Sequence, residues 1–341
     1  MSDFRDATPS GWTGRQVLVT GATGFVGSHI VRELLGAGAA VRALVRRTAD
    51  RSRLSTTGAT CVEGEVEDLS AVARACDGCE VVFHVAGLVH FGEDWDLFRR
   101  VNVNGTRQVL QAARSAGVRR LVHTSSIVAV GASTRPEVLD EDARWDLDRL
   151  AVPYVTTKRV AEDVALEAAR GGLDVVVVNP ASVVGPGDLS RSLFGTMCHR
   201  FWRGKIPFYF GGGNCYVDVR DVAAGHLLAS ERGRPGARYI LGGENMSYGE
   251  FLRSLACAAG RPIFRLRLPT CLSALAARIN DRLVPGQPRR AYLTAGQARL
   301  MGLYFYFSSA RAGQELGYRA RPLATSLTAA YQFWCGPEAS R

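Results

Sequence analysis

Residues 16–27 read QVLVTGATGFVG, which combines a short apolar strand, a glycine-rich turn and the start of a helix. An apolar pattern at helical spacing continues from the turn to about residue 36. The glycines permit, in chain order, a tight turn, a close approach of the backbone to a pyrophosphate and close packing of helix on strand: Gly21, Gly24 and Gly27. A helix N-terminus offers phosphate unpaired N–H groups and a positive dipole end, so the stretch predicts a dinucleotide-binding turn.

Beyond this turn, short apolar runs alternate with helical patterns. The further predicted strands are 40–45, 60–63, 81–85, 121–125 and 174–179. The predicted helices are 26–36, 69–76, 96–116 and 154–170. Strands that are apolar throughout are covered on both faces, and their alternation with helices indicates right-handed crossovers in a parallel sheet. The sequence therefore predicts the α/β class, with a doubly wound parallel sheet of the Rossmann type.

The alternation breaks after about Pro186, where glycine- and arginine-rich segments follow with isolated helical patterns at 249–259 and 272–283. We therefore expect residues 1–185 to form the dinucleotide-binding Rossmann domain. Residues 186–341 are expected to form mainly a smaller C-terminal substrate-capping subdomain, with some segments returning to the main domain.

The charge of the chain is carried almost entirely by arginine. The 341 residues have a formal charge of +10, and the 42 basic residues include just two lysines, Lys158 and Lys205. The arginines are scattered among acids and alanines, and not collected in a block, so we expect no nucleic-acid partner. The apolar fraction of 47% is that of a folded globular chain and excludes a disordered one.

The cysteines and apolar runs indicate a compartment. Cys76 and Cys79 have redox or zinc spacing, but no second ligand pair follows, so the sequence predicts reduced thiols and no metal site. The opening residues carry no apolar leader, and no run approaches the ~18 apolar residues of a membrane-spanning helix. We therefore expect a cytoplasmic protein.

The end of the second strand indicates the choice of cofactor. An acid there usually holds a ribose 2′-hydroxyl, whereas an arginine suits a 2′-phosphate. Here Val45 stands where the acid would fall, and Arg46 and Arg47 follow. Their guanidinium forks favour NADP(H), with NAD(H) as the alternative if they are simply two more members of a large arginine population. Asp68, after the third strand, is placed either to meet the adenine amine or to be a surface carboxylate.

Tyr154 and Lys158 form a second constellation, in the string YVTTK. Four residues apart on a helix, both side chains share one face. A free tyrosine has a pKa of ~10, and a nearby ammonium together with a positively charged nicotinamide ring would lower it. Because the chain has just two lysines, a chance match at this spacing is improbable. The pair predicts acid–base chemistry on a substrate oxygen.

Five motifs occur in the order of a known superfamily. They are GATGFVG at 21–27, HVAG at 84–87, NVNGT at 102–106, TSS at 124–126 and YVTTK at 154–158. With them the chain resembles the extended short-chain dehydrogenase/reductase superfamily over nearly its full length. The strings VVNPASVVGPGD, YVDVRDVAAGHLLA and RYILGGEN resemble its dihydroflavonol-reductase-like branch. That branch includes 3β-hydroxysteroid-dehydrogenase-like proteins and hopanoid-associated sugar-epimerase-like proteins.

The resemblance implies catalytic roles for Ser126, Tyr154 and Lys158, with Ser125 ranked behind Ser126. It implies a structural role for Asn102 and a homodimer built from the helices that begin near residues 96 and 154. The residues expected to contact the cofactor are Gly21, Thr23, Gly24, Phe25, Val26, Gly27, Arg46, Asp68, Ala86, Gly87, Tyr154, Lys158, Pro180 and Val183.

Three functions remain open at this point. The first is an NADPH-using ketone reductase or 3β-hydroxysteroid-type dehydrogenase acting on a bulky apolar carbonyl or alcohol. The second is a nucleotide-sugar epimerase or dehydratase with retained NAD, which the missing acid after strand two and Ser182 in place of a usual asparagine disfavour. The third is a non-catalytic NADP-binding sensor, a class that tends to lose the tyrosine–lysine pair.

Candidate substrate residues lie just after the fourth strand, where a doubly wound sheet binds its ligand. They are His90 and Phe91, with Ser182 from the later stretch. Farther along the chain, one helical face carries Leu272, Leu275, Ala276, Ile279 and Leu283. Core packing is the simplest interpretation of this face, and the alternatives are a tunnel for a hydrophobic substrate and peripheral contact with an anionic membrane surface.

Overall fold

The structure is a computed structural model that describes residues 11–336 except 53, 56, 190–191, 207, 261–265 and 284–293. Its main sheet has seven parallel strands, in the spatial order 10-6-5-4-1-2-3 of the strands numbered along the chain. These strands are β1 (Gln16–Thr20), β2 (Ala40–Val45), β3 (Thr60–Glu63), β4 (Val81–His84), β5 (Arg120–Thr124), β6 (Val175–Pro180) and β10 (Arg238–Leu241). The predicted fold class, a doubly wound parallel sheet, is confirmed. The strand order reverses between β1 and β4, and the crevice at their carboxyl ends is where such sheets bind ligands.

Helices cover both faces of this sheet. They are α1 (Phe25–Gly36), α2 (Leu69–Cys76), α3 (Trp95–Phe98), α4 (Gly105–Ser115), α5 (Pro153–Arg170), α7 (Val219–Arg232) and α11 (Ala310–Leu316). The central strand β1 is buried on both sides: Val17 and Val19 pack in the core with α1 and α7, and Leu18 packs in the core with α2 and α4. This explains why the strand is apolar at every position and not at alternate ones.

The remaining elements form a second layer beside the carboxyl end of the main sheet. Its strands are β7 (Ser182–Val184), β8 (Phe208–Tyr209), β9 (Gly213–Asp218), β11 (Glu244–Ser247), β12 (Leu266–Arg267) and β13 (Tyr304–Phe305). Its helices are α6 (Leu193–Trp202), α8 (Tyr248–Ala258), α9 (Ser273–Leu283), α10 (Ala295–Leu300) and α12 (Leu323–Cys335). Strand β9 lies between β11 and β13 and also pairs with β7, which follows directly after β6. This continuity fixes the second layer against the end of the main sheet.

The predicted elements and the observed ones differ in a few places. The predicted helix over 96–116 is instead α3, a π-helical segment Arg99–Asn104, and α4, because Asn102 turns inward to bond a neighbouring loop. Strand β10 and helix α7 lie after residue 186, yet they belong to the main sheet and its covering layer. None of the helices in the described part of the chain has the length and apolarity needed to cross a bilayer.

The amphipathic face on α9 is not a simple core face. Leu272, just before the helix, and Leu275 are 41% and 54% exposed, so core packing is the wrong interpretation for these two residues. Ala276 packs partly against a small cluster that includes Ala277. The side chains of Ile279 and Leu283 lie outside the described part of the structure.

The close contact of α1 with the glycine turn can be tested on one helix. A Cβ at Gly27 would overlap the carbonyl oxygen of Gly21, which is rigid backbone, whereas a Cβ at Gly36 would meet no atom within 4 Å. We expect Gly27→Ala to lower the free energy of unfolding by about 1–3 kcal/mol through overpacking. Gly36→Ala, the matched control, is expected to raise it by up to about 1 kcal/mol because alanine favours helix. Urea denaturation measures both, and equal stability of the two variants would contradict the account.

Candidate active site

The glycine turn joins β1 to α1 at the crevice. Gly21 has a φ of 68°, and a Cβ there would lie 2.7 Å from the backbone nitrogen of Ala86, so the turn touches the loop after β4. The N-cap of α1 is Gly24, and no side chain of the described residues caps the first N–H groups of the helix. Thr23, Gly24 and Val26 are partly exposed, whereas Phe25 is buried against the ring of His29. The turn is therefore a backbone cradle of the kind that accepts phosphate.

A buried side-chain network fixes the loop after β4. The hydroxyl oxygen of Thr20 accepts hydrogen bonds from the backbone N–H groups of Val85 (3.2 Å) and Ala86 (3.1 Å). The Thr20 hydroxyl donates to Nδ1 of His84 at 2.9 Å, so Nδ1 is the acceptor nitrogen of the neutral ring. The proton is therefore on Nε2, which donates to the Thr106 hydroxyl at 3.0 Å. Burial lowers the pKa of His84 to about 3, which keeps the ring neutral. This network holds the backbone beside the turn.

Asn102, in the π-helical segment, completes the loop. Its side-chain oxygen accepts from the backbone N–H of Leu88 at 2.7 Å, and its amide donates to the hydroxyl of Thr157 on α5 at 3.1 Å. A Cβ at Gly87 would lie 3.3 Å from the Asn102 oxygen and 3.5 Å from Nζ of Lys158. The Gly87 backbone therefore lies close to the lysine ammonium, and a side chain at this position would crowd the Asn102 oxygen.

Tyr154 and Ser126 lie together below this loop. The Tyr154 hydroxyl donates to the Ser126 hydroxyl at 3.2 Å, and both side chains are buried. Burial raises the pKa of Tyr154, and the hydrogen bond with Ser126 partly offsets this. Desolvation is thus the largest effect on the pKa of this tyrosine, and the prediction that Lys158 and a nicotinamide ring together lower it stays a prediction. Ser125 is also buried, and its hydroxyl finds no hydrogen-bond partner among the described residues.

Lys158 is buried at the next turn of α5. Its ammonium donates to the backbone oxygen of Thr124 at 2.8 Å, and among the described residues no second acceptor is in hydrogen-bond contact with it. Burial lowers the pKa of Lys158 to about 8, and the carboxylate of Glu162 opposes this shift. An ammonium has three donors, so two remain to bind hydroxyl groups of a ligand beside Gly87.

The predicted residues at the far end of the cofactor site are less closely engaged. Arg46 is exposed at the end of β2, where its guanidinium can meet a phosphate. Asp68 is the N-cap of α2 and accepts from the backbone N–H groups of Ser70 and Ala71 and from the Ser70 hydroxyl. These hydrogen bonds, that from the Ser70 side chain first, lower the pKa of Asp68. A structural role therefore already accounts for one oxygen of this carboxylate.

The predicted substrate residues separate into two groups. The ring of Phe91 packs edge-on against Tyr154 with centroids 5.6 Å apart, whereas His90 turns away and packs against Phe98 at 4.6 Å. Ser182, with Val183 beside it and Pro180 at the end of β6, lies on β7, where it pairs with Tyr216 of the second layer. The structure thus brings Phe91 to the tyrosine and turns His90 aside.

Helix α10 packs against the loop after β4 that carries Phe91, a contact that the sequence did not predict. Arg299 donates to the backbone oxygen of Ala151 at 2.7 Å and pairs with Glu93 at 3.3 Å. A Cβ at Gly296 would lie 3.2 Å from Phe91. A cavity of about 340 Å³ adjoins α10 and α9 and is lined by Ala274, Ala277, Arg278, Ala295, Ala298 and Arg299. No sequence signal marks these contacts, because they join segments about 150–200 residues apart.

The described residues contain neither a disulfide nor a cluster of three or more metal-ligating side chains. Burial raises the pKa of Cys76 to about 12 and that of Cys79 as well. The pair spaced as a redox motif therefore consists of unreactive thiols.

Comparison with known proteins agrees with this arrangement. Residues 17–242 match the model of the NAD dependent epimerase/dehydratase family. The chain belongs to that family. It is therefore a nicotinamide-dependent oxidoreductase with a small-molecule substrate, and the predicted membership of the extended short-chain dehydrogenase/reductase superfamily is confirmed.

Individual relatives place the chain in the dihydroflavonol-reductase-like branch. It is 35% identical over 323 residues to a protein named putative dihydroflavonol 4-reductase from Synechocystis, covering 93% of each chain. It is 38% identical over 324 residues to sterol demethylase protein B of Methylococcus capsulatus, covering 92% of this chain and 95% of that one. The crystal structure of gox2253 superposes with a TM-score of 0.83 at 34% identity, covering 94% of this chain and 98% of that one.

Asn102 offers a test of the loop geometry, with Asn104 as its control. Asn102→Ala leaves the partly buried N–H of Leu88 and the buried hydroxyl of Thr157 without this partner, so we expect the free energy of unfolding to fall by about 1–3 kcal/mol. Asn104 bonds the exposed Arg107, and Asn104→Ala is expected to change stability by less than about 0.5 kcal/mol. Urea denaturation distinguishes the two, and an Asn102→Ala variant as stable as the control would show that the asparagine does not hold the loop.

Proposed function

We propose that this protein is an NADP(H)-preferring ketone reductase, or a 3β-hydroxysteroid-type dehydrogenase, that transfers hydride to or from a bulky apolar carbonyl or alcohol. One observation carries the proposal. The Tyr154 and Ser126 hydroxyls are 3.2 Å apart, and the Lys158 ammonium lies beside Gly87 on the same edge of the sheet as the glycine turn. A proton donor, a neutral hydrogen-bonding partner and a cation are thus gathered in one buried place.

The roles of the three residues follow from their contacts. In the reducing direction, Tyr154 donates its proton to the substrate oxygen as negative charge develops there. Once the Tyr154 proton turns from Ser126 to the substrate oxygen, the Ser126 hydroxyl, which lies 3.2 Å from that of Tyr154, donates a hydrogen bond to the same oxygen. Lys158 binds the cofactor ribose with its two remaining donors, and its positive charge favours the Tyr154 phenolate that proton transfer leaves. The bound nicotinamide supplies the hydride.

The cofactor is held along the crevice by the remaining predicted residues. Backbone groups of the turn at 21–27 would hold the pyrophosphate, and Ala86, Gly87, Pro180 and Val183 would lie beside the nicotinamide. Arg46 meets the 2′-phosphate, which makes NADP(H) the preferred form and NAD(H) the alternative. The missing acid after β2 supports this choice, since Val45 occupies its place.

A bulky apolar substrate is favoured by the surroundings of Tyr154. Phe91 packs on the tyrosine and is itself met by Gly296 of α10, a helix that lines a cavity together with the alanines of α9. The relative from Methylococcus capsulatus is named for a sterol, which is a substrate of this kind. Residues 186–341 would then form the cap over the substrate, apart from the segments that return to the main sheet.

Two further functions are weighed against this one. Nucleotide-sugar epimerases and dehydratases with retained NAD usually carry an asparagine amide where Ser182 stands, and Ser182, buried in β7, offers no such amide. A non-catalytic sensor has no use for the buried Tyr154–Ser126 contact, which desolvates two hydroxyls. Both observations favour the reductase.

Assembly and membrane contact belong to the same proposal. A homodimer through α4 and α5 is supported by the apolar Val160, which is exposed on α5. Peripheral contact with an anionic membrane is supported by the exposed Leu272 and Leu275 near Arg278. Sedimentation equilibrium and salt-sensitive flotation with anionic liposomes test these two points separately.

Removal of the tyrosine hydroxyl tests the catalytic role. We expect Tyr154→Phe to lower kcat by at least about a hundredfold, because the proton donor is lost, while NADPH still binds. Tyr331→Phe, in a tyrosine that packs on Trp202 in the second layer, should leave kcat unchanged. NADPH oxidation and quenching of protein fluorescence measure the two quantities, and a Tyr154→Phe enzyme with full turnover would refute the assignment.

Replacement of Arg46 tests the cofactor preference. Arg46→Ala removes a charge-assisted hydrogen bond to the 2′-phosphate, so KM for NADPH should rise about tenfold relative to KM for NADH. Arg32→Ala, on the exposed face of α1, removes the same charge and should leave the ratio unchanged. If the ratio is the same in all three proteins, a different group reads the phosphate.

A further inference from the structure

Tyr154 and Lys158 share their face of α5 with a third residue, Glu162, one turn further along. The three side chains are buried, and Glu162 is completely inaccessible to solvent. A carboxylate is seldom buried in this way unless partners compensate its charge. The proposed acid–base chemistry uses the first two residues and leaves Glu162 without a role.

The partners of Glu162 fix both of its oxygens. Oε1 accepts from the guanidinium of Arg238 on β10 at 2.8 Å. Oε2 accepts from the side-chain amide of Asn179 on β6 at 2.6 Å. The same Asn179 nitrogen donates to the backbone oxygen of Ser126 at 3.0 Å. The carboxylate is therefore tied to the backbone of the serine that contacts Tyr154.

The orientation of the Asn179 amide follows from chemistry. Both groups that it faces, the Glu162 carboxylate and the Ser126 carbonyl, are acceptors, so the NH₂ group must point towards them. A flipped amide would place oxygen against oxygen at both contacts. Because the segment after Ser126 is a short 3₁₀ turn (Ile127–Ala129) capped by the Ser126 hydroxyl, the serine is fixed at its side chain and its backbone.

The same carboxylate is the anion that acts on Lys158. Among the groups around the lysine, Glu162 raises the pKa of Lys158, against the larger lowering effect of burial. Two imidazoles from neighbouring strands also face it, and burial keeps the pKa of His84 and of His123 below the usual value, so both rings are neutral. The other ionisable groups of this region are the buried His84 on β4, His123 on β5, His226 on α7, Tyr154 on α5 and Glu141, with the partly buried Arg238 at the start of β10. His226 bonds the hydroxyl of Thr124, and burial lowers its pKa to about 4, so this ring is neutral as well.

We propose that Glu162 is a positioning residue of the active site, whose carboxylate supplies the buried negative charge that stabilises the Lys158 ammonium and, through Asn179, holds Ser126 in place. Arg238 orients this carboxylate from the seventh strand, and it is itself held by a hydrogen bond to the backbone oxygen of Glu141. The effect of Glu162 on catalysis rests on the proposed function. The effect of its charge on the pKa of Lys158 does not, because it depends only on residues of this chain.

The scarcity of lysine allows a direct test. The chain has just two lysines, so protein labelled with [¹³C]lysine gives two Cε signals, from Lys158 and from the exposed Lys205, which Lys205→Arg assigns. We expect the titration midpoint of Lys158 to fall by about one pH unit or more in Glu162→Gln, which keeps the shape and removes the charge. Asp163→Asn is the matched control, because Asp163 is the next residue of α5 and its half-exposed carboxylate pairs with Arg159.

The direction of the change has a consequence for activity. A lower pKa means that Lys158 loses its proton at lower pH, so the alkaline limb of kcat should move to lower pH in Glu162→Gln and stay in place in Asp163→Asn. If Glu162→Gln does not fold because Arg238 is left unpaired, the double variant Glu162→Gln with Arg238→Gln removes both charges. Loss of the guanidinium opposes loss of the carboxylate, so the Lys158 midpoint should again fall, but by less than in the single variant.

The proposal is overturned if the titration midpoint of Lys158 is the same in the wild type and in Glu162→Gln. It is also overturned if Asp163→Asn lowers this midpoint as much as Glu162→Gln does. The NMR titration uses the protein without substrate, so it is independent of the proposed function. An inactive wild-type protein whose Lys158 midpoint responds to Glu162 would refute the reductase function and leave this inference standing.

Discussion

The arrangement of this protein depends on one buried cation. Lys158 is buried beside the carboxyl end of β5, where it bonds the backbone oxygen of Thr124, and the loop after β4 lies close to it. An ammonium in such a place is costly, because burial removes most of its hydration. The structure compensates with the carbonyl of Thr124 and the carboxylate of Glu162. Residues from β5, α5, β6 and β10 are thereby required to meet at one point.

Two glycines lie in the loops next to Lys158. The backbone of Gly87 lies close to the Lys158 ammonium. Gly21 allows the glycine turn to touch the backbone of Ala86 in the same loop. The two loops are then fixed by a neutral chain of hydrogen bonds through Thr20 and His84. A cofactor bound along the turn would meet a rigid surface of N–H groups at one end and a cation at the other.

Much of the fold could be predicted from the sequence because its signals are local. The strands at 16–20, 40–45 and 60–63 match in both ends, since each is an apolar run bounded by turn residues. Strand β10 could not be predicted in this way. Its residues, Arg238–Leu241, lie outside the regular alternation of strands and helices, and their place beside β6 depends on contacts between segments about 60 residues apart.

The site was predictable to the extent that its residues recur in motifs. Tyr154, Lys158 and Ser126 were expected, and the structure brings them together in one buried place. The partners of Glu162 could not be predicted. Asn179 and Arg238 are 17 and 76 residues away from it, and no motif links them to Glu162. The raised pKa of Tyr154 was missed for a related reason, since the sequence shows which charges are near but not how much water burial removes.

The activity proposed for this protein is the reduction of a bulky apolar carbonyl with NADPH. The most direct test is to purify the protein, identify any nicotinamide nucleotide it retains, and follow NADPH absorbance with steroid-like ketones, aliphatic ketones and UDP-sugars. We expect NADPH consumption with the apolar ketones and none with the sugars. Tightly retained NAD⁺, with conversion of a UDP-sugar and no net oxidation of NADPH, would contradict it.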